Sequence, residues 1–264
     1  MIAEQRDEML KQEVRDFWNA NPCGTQFTHL EWGSKIFFDE VERFRYATQP
    51  FMHETMEFES HRGERLLEVG CGLGTDLLQF ARGGAIVTGV DLTPKSVELT
   101  RDRLKLYNLL GNAQVADAEQ LPFEDHSFDV VYSFGVLHHT PDTPRAIREA
   151  LRVLKPGGKI LMMLYHRASL HVFLGVVVRR FLKSINRRVN EVADDWIRIY
   201  DGSENPLGKA YTRAEVRRML SGVRDISLTT RDPIRRRWPS FINTINQLLF
   251  ARWLGFYLII KAIK

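Results

Sequence analysis

The chain has 264 residues, 44% of them hydrophobic and 27% charged, with a formal net charge of +4. Length and composition suit one globular α/β domain with a modest appendage, and exclude fibrous, low-complexity and disulfide-scaffold classes. Two cysteines, Cys23 and Cys71, offer neither a metal-ligand spacing nor a disulfide framework, so no metal and a reducing, cytoplasmic setting are expected.

The N-terminal run MIAEQRDEMLKQEVRDF is charged throughout and does not read as a signal peptide. No apolar run approaches the length of a membrane span. Charge is unevenly spread: residues 1–150 carry 15 Lys and Arg against 25 Asp and Glu, and residues 151–264 carry 22 against 8. Such an asymmetry points to an anionic partner for the C-terminal half, whether an acidic substrate, a phospholipid surface or a nucleic acid. It is equally consistent with basic helices covering acidic faces of the other half.

Residues 4–20 alternate charge with Met9, Leu10, Val14, Phe17 and Trp18, which predicts an amphipathic helix. Asn19 to Gly24 is a stop and turn signal. Two further helices are predicted near 33–47 and 50–60, rich in aromatics such as Phe37, Phe38, Tyr46 and Phe58. Residues 1–60 therefore read as a helical cap. An apolar strand follows, Leu66, Leu67 and Val69, then glycines at 70, 72 and 74, then Leu77, Leu78, Phe80 and Ala81 at helical spacing. That order of strand, glycine turn and helix opens a nucleotide-type α/β fold.

The spacing G-x-G-x-G differs from the dinucleotide fingerprint G-x-G-x-x-G, and Thr75 stands where the last glycine would be. Glu68, two residues before the first glycine, would repel a pyrophosphate on the helix N-terminus. It suits a ligand with an ammonium or sulfonium instead. Asp91 ends a second strand, Ala85 to Val90, where an acid can accept hydrogen bonds from ribose hydroxyls. Pro94 falls in the first turn of the next helix. A short third strand at 113–115 leads to Asp117, Ala118 and Glu119. Residues 128–133 read as strand four, the Phe134 to His139 loop follows, and residues 143–154 read as a helix. Strand five is 159–164. Alternating strands and helices imply a parallel sheet, with ligands outside the carboxyl ends of the strands at the switch point.

On Glu68-Val69-Gly70-Cys71-Gly72-Leu73-Gly74 and the later stations, residues 64–166 resemble the class I S-adenosylmethionine (SAM) dependent methyltransferases, of small-molecule type. The resemblance implies a Rossmann-like, seven-stranded, mostly parallel sheet with an antiparallel last strand. The SAM-binding core would be residues 61–166, and residues 167–264 would supply inserted cap helices and closing strands. It also implies SAM as cofactor and S-adenosylhomocysteine as product. Gly70, Cys71, Gly72 and Gly74 would face the amino-acid part of the cofactor, and Glu68 its ammonium. Asp91 would hold the ribose, Leu92 would pack on adenine, and Asp117 and Ala118 would meet the adenine edge. Phe134 would lie beside the methionine chain.

His138 is the expected proton acceptor, should the methyl acceptor need to lose a proton. Tyr46, His139, Tyr165, His166 and Tyr200 are candidates to contact the acceptor molecule. Asp129, opening strand four, is expected to cap or orient a neighbouring turn.

After strand five, an apolar stretch at 170–178 runs into a basic one at 179–188. It reads either as an amphipathic surface helix, giving peripheral membrane contact through the basic half, or as a cap helix. Thr212 with Glu215 forms a capping box for a helix to about Leu220. Strand six is predicted at 226–230, a cationic cluster at 235–238, a helix at 240–252 and a closing strand at 255–264.

The function these features predict is methyl transfer to a small-molecule acceptor, anionic or amphipathic. The alternatives are an RNA or protein methyltransferase and a non-catalytic SAM-binding module. Nucleic acid is disfavoured as a partner because no Asn-Pro-Pro-Tyr type sequence follows strand four and no separate RNA-binding module is visible. Acceptor atom, pathway and oligomeric state are left open.

Overall fold

The computed structural model describes residues 2–174, 194, 197–198, 204–231 and 251–264. Tyr200, the basic stretch 179–188, the cluster 235–238 and most of the helix expected at 240–252 lie outside these described residues. In chain order the structure has α1 (Ile2–Ala20), α2 (Lys35–Thr48), α3 (Phe51–Thr55), β1 (Arg65–Val69), α4 (Thr75–Arg82) and β2 (Ile86–Asp91). There follow α5 (Pro94–Leu106), β3 (Gly111–Val115), β4 (Phe128–Phe134), α6 (Thr143–Val153) and β5 (Leu154–Tyr165). The C-terminal part supplies α7 (Arg213–Met219), β6 (Arg224–Arg231), α8 (Ala251–Leu254) and β7 (Tyr257–Ile263). Short 3-10 turns lie at Thr25–Phe27 and Leu137–His139.

The sheet order is β3-β2-β1-β4-β5-β7-β6. Pairs β1–β2, β1–β4, β2–β3 and β4–β5 are parallel, and β7 runs antiparallel to both of its neighbours. This is the seven-stranded, Rossmann-like sheet with one antiparallel strand that the sequence predicts. Successive strand residues serve opposite faces. Leu66, Val130, Tyr132, Leu161, Met163 and Ile259 pack in one layer with Leu77, Leu78 and Phe80 of α4. Leu67, Val69, Val131, Ile160, Met162 and Ile260 pack in the other with Ala146, Ile147 and Ala150 of α6. Burial on both faces explains why these strands read as continuous apolar runs.

Local signals hold at several helix starts. The Thr93 side chain accepts from the Ser96 N–H with Pro94 in the first turn, and Thr212 and Glu215 close a full capping box. Asp129 does orient its surroundings: it accepts from the Arg65 N–H at 2.9 Å and pairs with Lys155 at 2.6 Å.

Two boundaries differ from expectation by about five residues. The helix expected over 50–60 stops at Thr55, because Glu57 turns to φ +57°. Its carboxylate is drawn to Lys159 at 2.6 Å and Lys261 at 2.5 Å, tying the cap to β5 and β7. Strand β5 begins at Leu154, five residues before the expected Lys159, with Pro156-Gly157-Gly158 inside it. The glycine segment stays in the sheet because Gly157 N–H bonds the Lys264 carbonyl and Lys264 N–H bonds that of Gly158. Between these points the β4 register slips, which takes up the extra residues.

Candidate functional site

The five parallel strands β1 to β5 point their carboxyl ends to one side, and a cavity of about 290 Å³ lies there. The switch point is the β1–β4 pairing, where strand order reverses. On one side of it the cavity is acidic: Glu68 near the end of β1, Asp91 ending β2, Asp117 just past β3, and Asp76 on α4. On the other side it is aromatic: Phe134 ends β4, Tyr165 ends β5, and Tyr257 opens β7 opposite Tyr165. The antiparallel direction of β7 is what brings its first residue to this rim.

Gly70 takes φ +81°, and a Cβ there would stand 2.3 Å from the Val136 side chain, so only glycine fits. Asp91 shapes the turn as well as facing the cavity. Its Oδ2 accepts from Gly72 N–H at 2.9 Å, while Oδ1 accepts from the Thr93 N–H at 2.9 Å and hydroxyl at 2.8 Å. Burial raises the Asp91 pKa and these bonds oppose the rise.

Glu68 is buried, and its Oε2 has no hydrogen-bond partner among the described residues. Burial pushes its pKa well up, the Asp76 charge adds to the rise, and Arg45 opposes it. Around it stands a network that sequence inspection missed. Asp76 accepts from Arg45 Nε at 2.8 Å, from Tyr46 at 2.8 Å and from Tyr132 at 2.7 Å, with a second short contact from the Arg45 guanidinium. Arg45 also lies over the Phe134 ring at 5.0 Å. Asp76 follows the glycine turn directly, so its position was readable. Arg45 was not, because its partner is 31 residues away in sequence.

Helix α1 closes the acidic side. Lys11 pairs with Asp117 at 2.8 Å and Glu119 at 2.9 Å, and Val14 and Trp18 line the cavity beside it. The Asp117 carboxylate is thus already engaged, by Lys11 and by Glu119 N–H at 2.8 Å.

The two histidines separate. His138 is fully buried, lies outside the cavity lining, and neither ring nitrogen has a hydrogen-bond partner among the described residues. Its ring packs on Tyr165 at 4.1 Å, and burial holds its pKa well below the ordinary imidazole value. The structure therefore gives His138 a packing position rather than the cavity position expected of a proton acceptor. His139 does line the cavity. Its Nδ1 meets the Leu207 carbonyl at 2.5 Å, which places the proton on Nδ1 and makes Nε2 the basic nitrogen of the neutral ring.

Among the other expected residues, Cys71, Gly72, Leu92 and Ala118 line the cavity with Glu68 and Asp91. Gly74 sits one step behind, against Thr100. Tyr46 and His166 are not in the lining: Tyr46 serves Asp76, and His166 bonds the Gly255 carbonyl at 3.1 Å. No cluster of metal-ligating side chains occurs among the described residues.

The site fits a SAM-type cofactor on two observations of its own. Among the described residues the buried Glu68 Oε2 has no hydrogen-bond partner, and an ammonium would supply one. Beside cavity-lining Gly72, no described residue beyond its chain neighbours stands within 4 Å of where a Cβ would be, leaving an open cradle along the backbone.

Comparison with known proteins agrees. Residues 67–162 match the family described as a methyltransferase domain. The α/β core thus carries a segment similar to methyltransferase domains. The chain is 41% identical over 103 residues to a 27-O-demethylrifamycin SV methyltransferase of Amycolatopsis mediterranei, covering 38% of each chain. It is 33% identical over 112 residues to a sterol 4-C-methyltransferase of Caenorhabditis elegans, covering 42% of this chain and 34% of the relative. It is also 33% identical over 117 residues to a ubiquinone biosynthesis O-methyltransferase of Coxiella burnetii, covering 43% and 50%. The matched segment thus spans half or less of each of these relatives. Among solved structures, geranyl diphosphate C-methyltransferase from Streptomyces coelicolor, in complex with S-adenosylhomocysteine, superposes with a TM-score of 0.63 at 14% identity, covering 96% and 97%. The [4+2]-cyclase SpnF superposes at 0.55 and 21% identity, covering 99% and 96%. At such identities the likeness is one of fold.

Proposed function

We propose that the whole chain is an active SAM-dependent methyltransferase whose acceptor is a small molecule. The observation that carries this is the division of one cavity into an acidic half built on the glycine turn and an aromatic half on β4, β5 and β7. The relatives' names, which concern a demethylrifamycin, a sterol and ubiquinone biosynthesis, support a small-molecule acceptor.

In this reading Glu68 accepts from the cofactor's ammonium, and Arg45, fixed by Asp76, faces its carboxylate. Asp91 holds the ribose. Leu92 and Ala118 bound the adenine, and Phe134 flanks the methionine chain. Asp117 reaches the adenine edge only in competition with Lys11. The bound cofactor would supply an electrophilic methyl on a sulfonium, with a neutral thioether as leaving group.

What the protein adds is chiefly alignment and exclusion of water, for which the aromatic half and the α1 lid are suited. Where the acceptor must lose a proton, we assign that role to His139, which lines the cavity. This reassigns the expected role of His138 to its neighbour.

The test is incubation of the full chain with methyl-labelled SAM and fractionated cell extract. Label in the small-molecule or lipid fraction is expected. Label in RNA or protein would overturn the acceptor class. No label, with tight S-adenosylhomocysteine binding, would favour a non-catalytic SAM-binding module.

A further inference from the structure

Gln49 is the C-cap residue of α2 and its backbone is fixed on both sides: its N–H bonds the Arg45 carbonyl at 2.9 Å, and its carbonyl takes the Met52 N–H at 3.0 Å. The side chain lines the cavity and is 7% exposed. Its Nε2 donates to the Tyr257 phenol oxygen at 3.2 Å. Its Oε1 is buried and has no hydrogen-bond partner among the described residues. Buried acceptors are rarely left unpaired, and each one that is needs an explanation. Among the described residues, no backbone bond, cap or ion pair calls for an amide oxygen here.

The surroundings specify what would satisfy it. Phe134, Met163, Tyr165 and Tyr257 make this end of the cavity apolar and aromatic. Among the described residues, the Lys and Arg side chains that line the cavity are each engaged, Lys11 by Asp117 and Glu119 and Arg45 by Asp76. We propose that Gln49 is the acceptor-recognition residue, its side-chain carbonyl accepting a hydrogen bond from a hydroxyl on a neutral, ring-based apolar molecule packed against Tyr165 and Tyr257. This rests on the methyltransferase reading above, which puts the cofactor in the acidic half and leaves the aromatic half to the acceptor. It narrows the expected anionic or amphipathic acceptor to a neutral hydroxylated one. A site built to bond a hydroxyl discriminates sharply against an analogue lacking it, because its own polar group is then left unpaired.

The probes are 2-naphthol and 2-methylnaphthalene, which match in shape and differ in the hydroxyl. Binding of each is measured by calorimetry or competition to full-length protein saturated with S-adenosylhomocysteine. The wild type is expected to prefer 2-naphthol by about tenfold or more, the scale of one buried hydrogen bond. Gln49→Met should bring that ratio to about one while S-adenosylhomocysteine affinity stays within about twofold, which also reports that the variant folds. Tyr257→Phe, which releases the amide from its anchor, should lower the ratio by about threefold or more and serves if Gln49→Met does not fold. An undiminished preference in both variants, no preference in the wild type, or no binding of 2-naphthol would each overturn the assignment. Failure of the wild type to bind S-adenosylhomocysteine would instead overturn the functional reading beneath it.

Discussion

Glu68 is where the proposed cofactor site and folding stability oppose one another. Burial, reinforced by Asp76, holds its pKa above the ordinary value of 4.5 in the folded chain. Between that value and the raised one, the folded state binds more proton than the unfolded state, so stability falls as pH rises through this window. Glu68→Gln should therefore make the ligand-free protein more stable than wild type at neutral pH, with the difference shrinking toward pH 4.5. The same variant should weaken S-adenosylhomocysteine binding by about tenfold or more, since it removes the charge facing the ammonium. Paired melting curves at two pH values with a binding isotherm check both; a variant less stable than wild type at neutral pH would contradict the burial argument. The histidines part at the same scale. His139→Ala should lower turnover of the labelled acceptor by about 100-fold or more, with S-adenosylhomocysteine binding intact, if the acceptor must be deprotonated. His138→Ala should cost stability instead, by about 2 kcal/mol, because it hollows a buried position against Tyr165.

The helix that matters most to the cavity is α1. It adds little to the core, with Val14 its buried apolar side chain, yet Lys11, Val14 and Trp18 all line the site. Burial opposes the charge on Lys11, but hydrogen bonds to Asp117 and Glu119 outweigh it and raise its pKa. Besides this cation on two carboxylates, α1 is tied by Asn19 Oδ1, which accepts from the Lys95 N–H at 3.1 Å, and so few side-chain ties suit a lid that opens for ligand exchange. Lys11→Met should loosen it by about 1 kcal/mol, the scale of a partly exposed ion pair, with Glu119 then left buried beside Asp117. Hydrogen exchange across Ile2–Ala20 should quicken several-fold, and S-adenosylhomocysteine should dissociate faster. Unchanged exchange would show that packing by Trp18, which meets His139 edge-on at 5.4 Å, holds the helix without Lys11.

Across the whole molecule, sheet order decides what the cavity can hold. Strands β1 to β3 deliver carboxylates, and β4, β5 and β7 deliver rings, so a cationic cofactor and an apolar acceptor would meet over the β1–β4 switch. NAD, with its pyrophosphate, is mismatched to Glu68 and Asp76. S-adenosylhomocysteine should raise the melting temperature of the full chain, and NAD at equal concentration should leave it unmoved. An NAD-induced shift would overturn the charge argument.

The glycine turn, Glu68, Asp91 and the order of strands were legible because each rests on short-range physics. A positive φ at Gly70, a carboxylate at a strand end and a Thr93-Pro94 helix start are all written in neighbouring residues. Even the closing antiparallel strand followed from the family resemblance of the core. What the sequence could not convey are partnerships between distant segments. Arg45 finds Asp76 and Lys11 finds Asp117 only after folding, and Gln49 meets Tyr257 across 208 residues. His138 and His139 are adjacent and chemically identical; only the packing of Tyr165 on one side and the Leu207 carbonyl on the other sends one into the core and the other into the cavity. Local sequence determined where a cofactor could lie, because backbone conformation and strand-end chemistry are local. The tertiary structure decided which side chains face it, because burial and pairing are properties of the assembled chain.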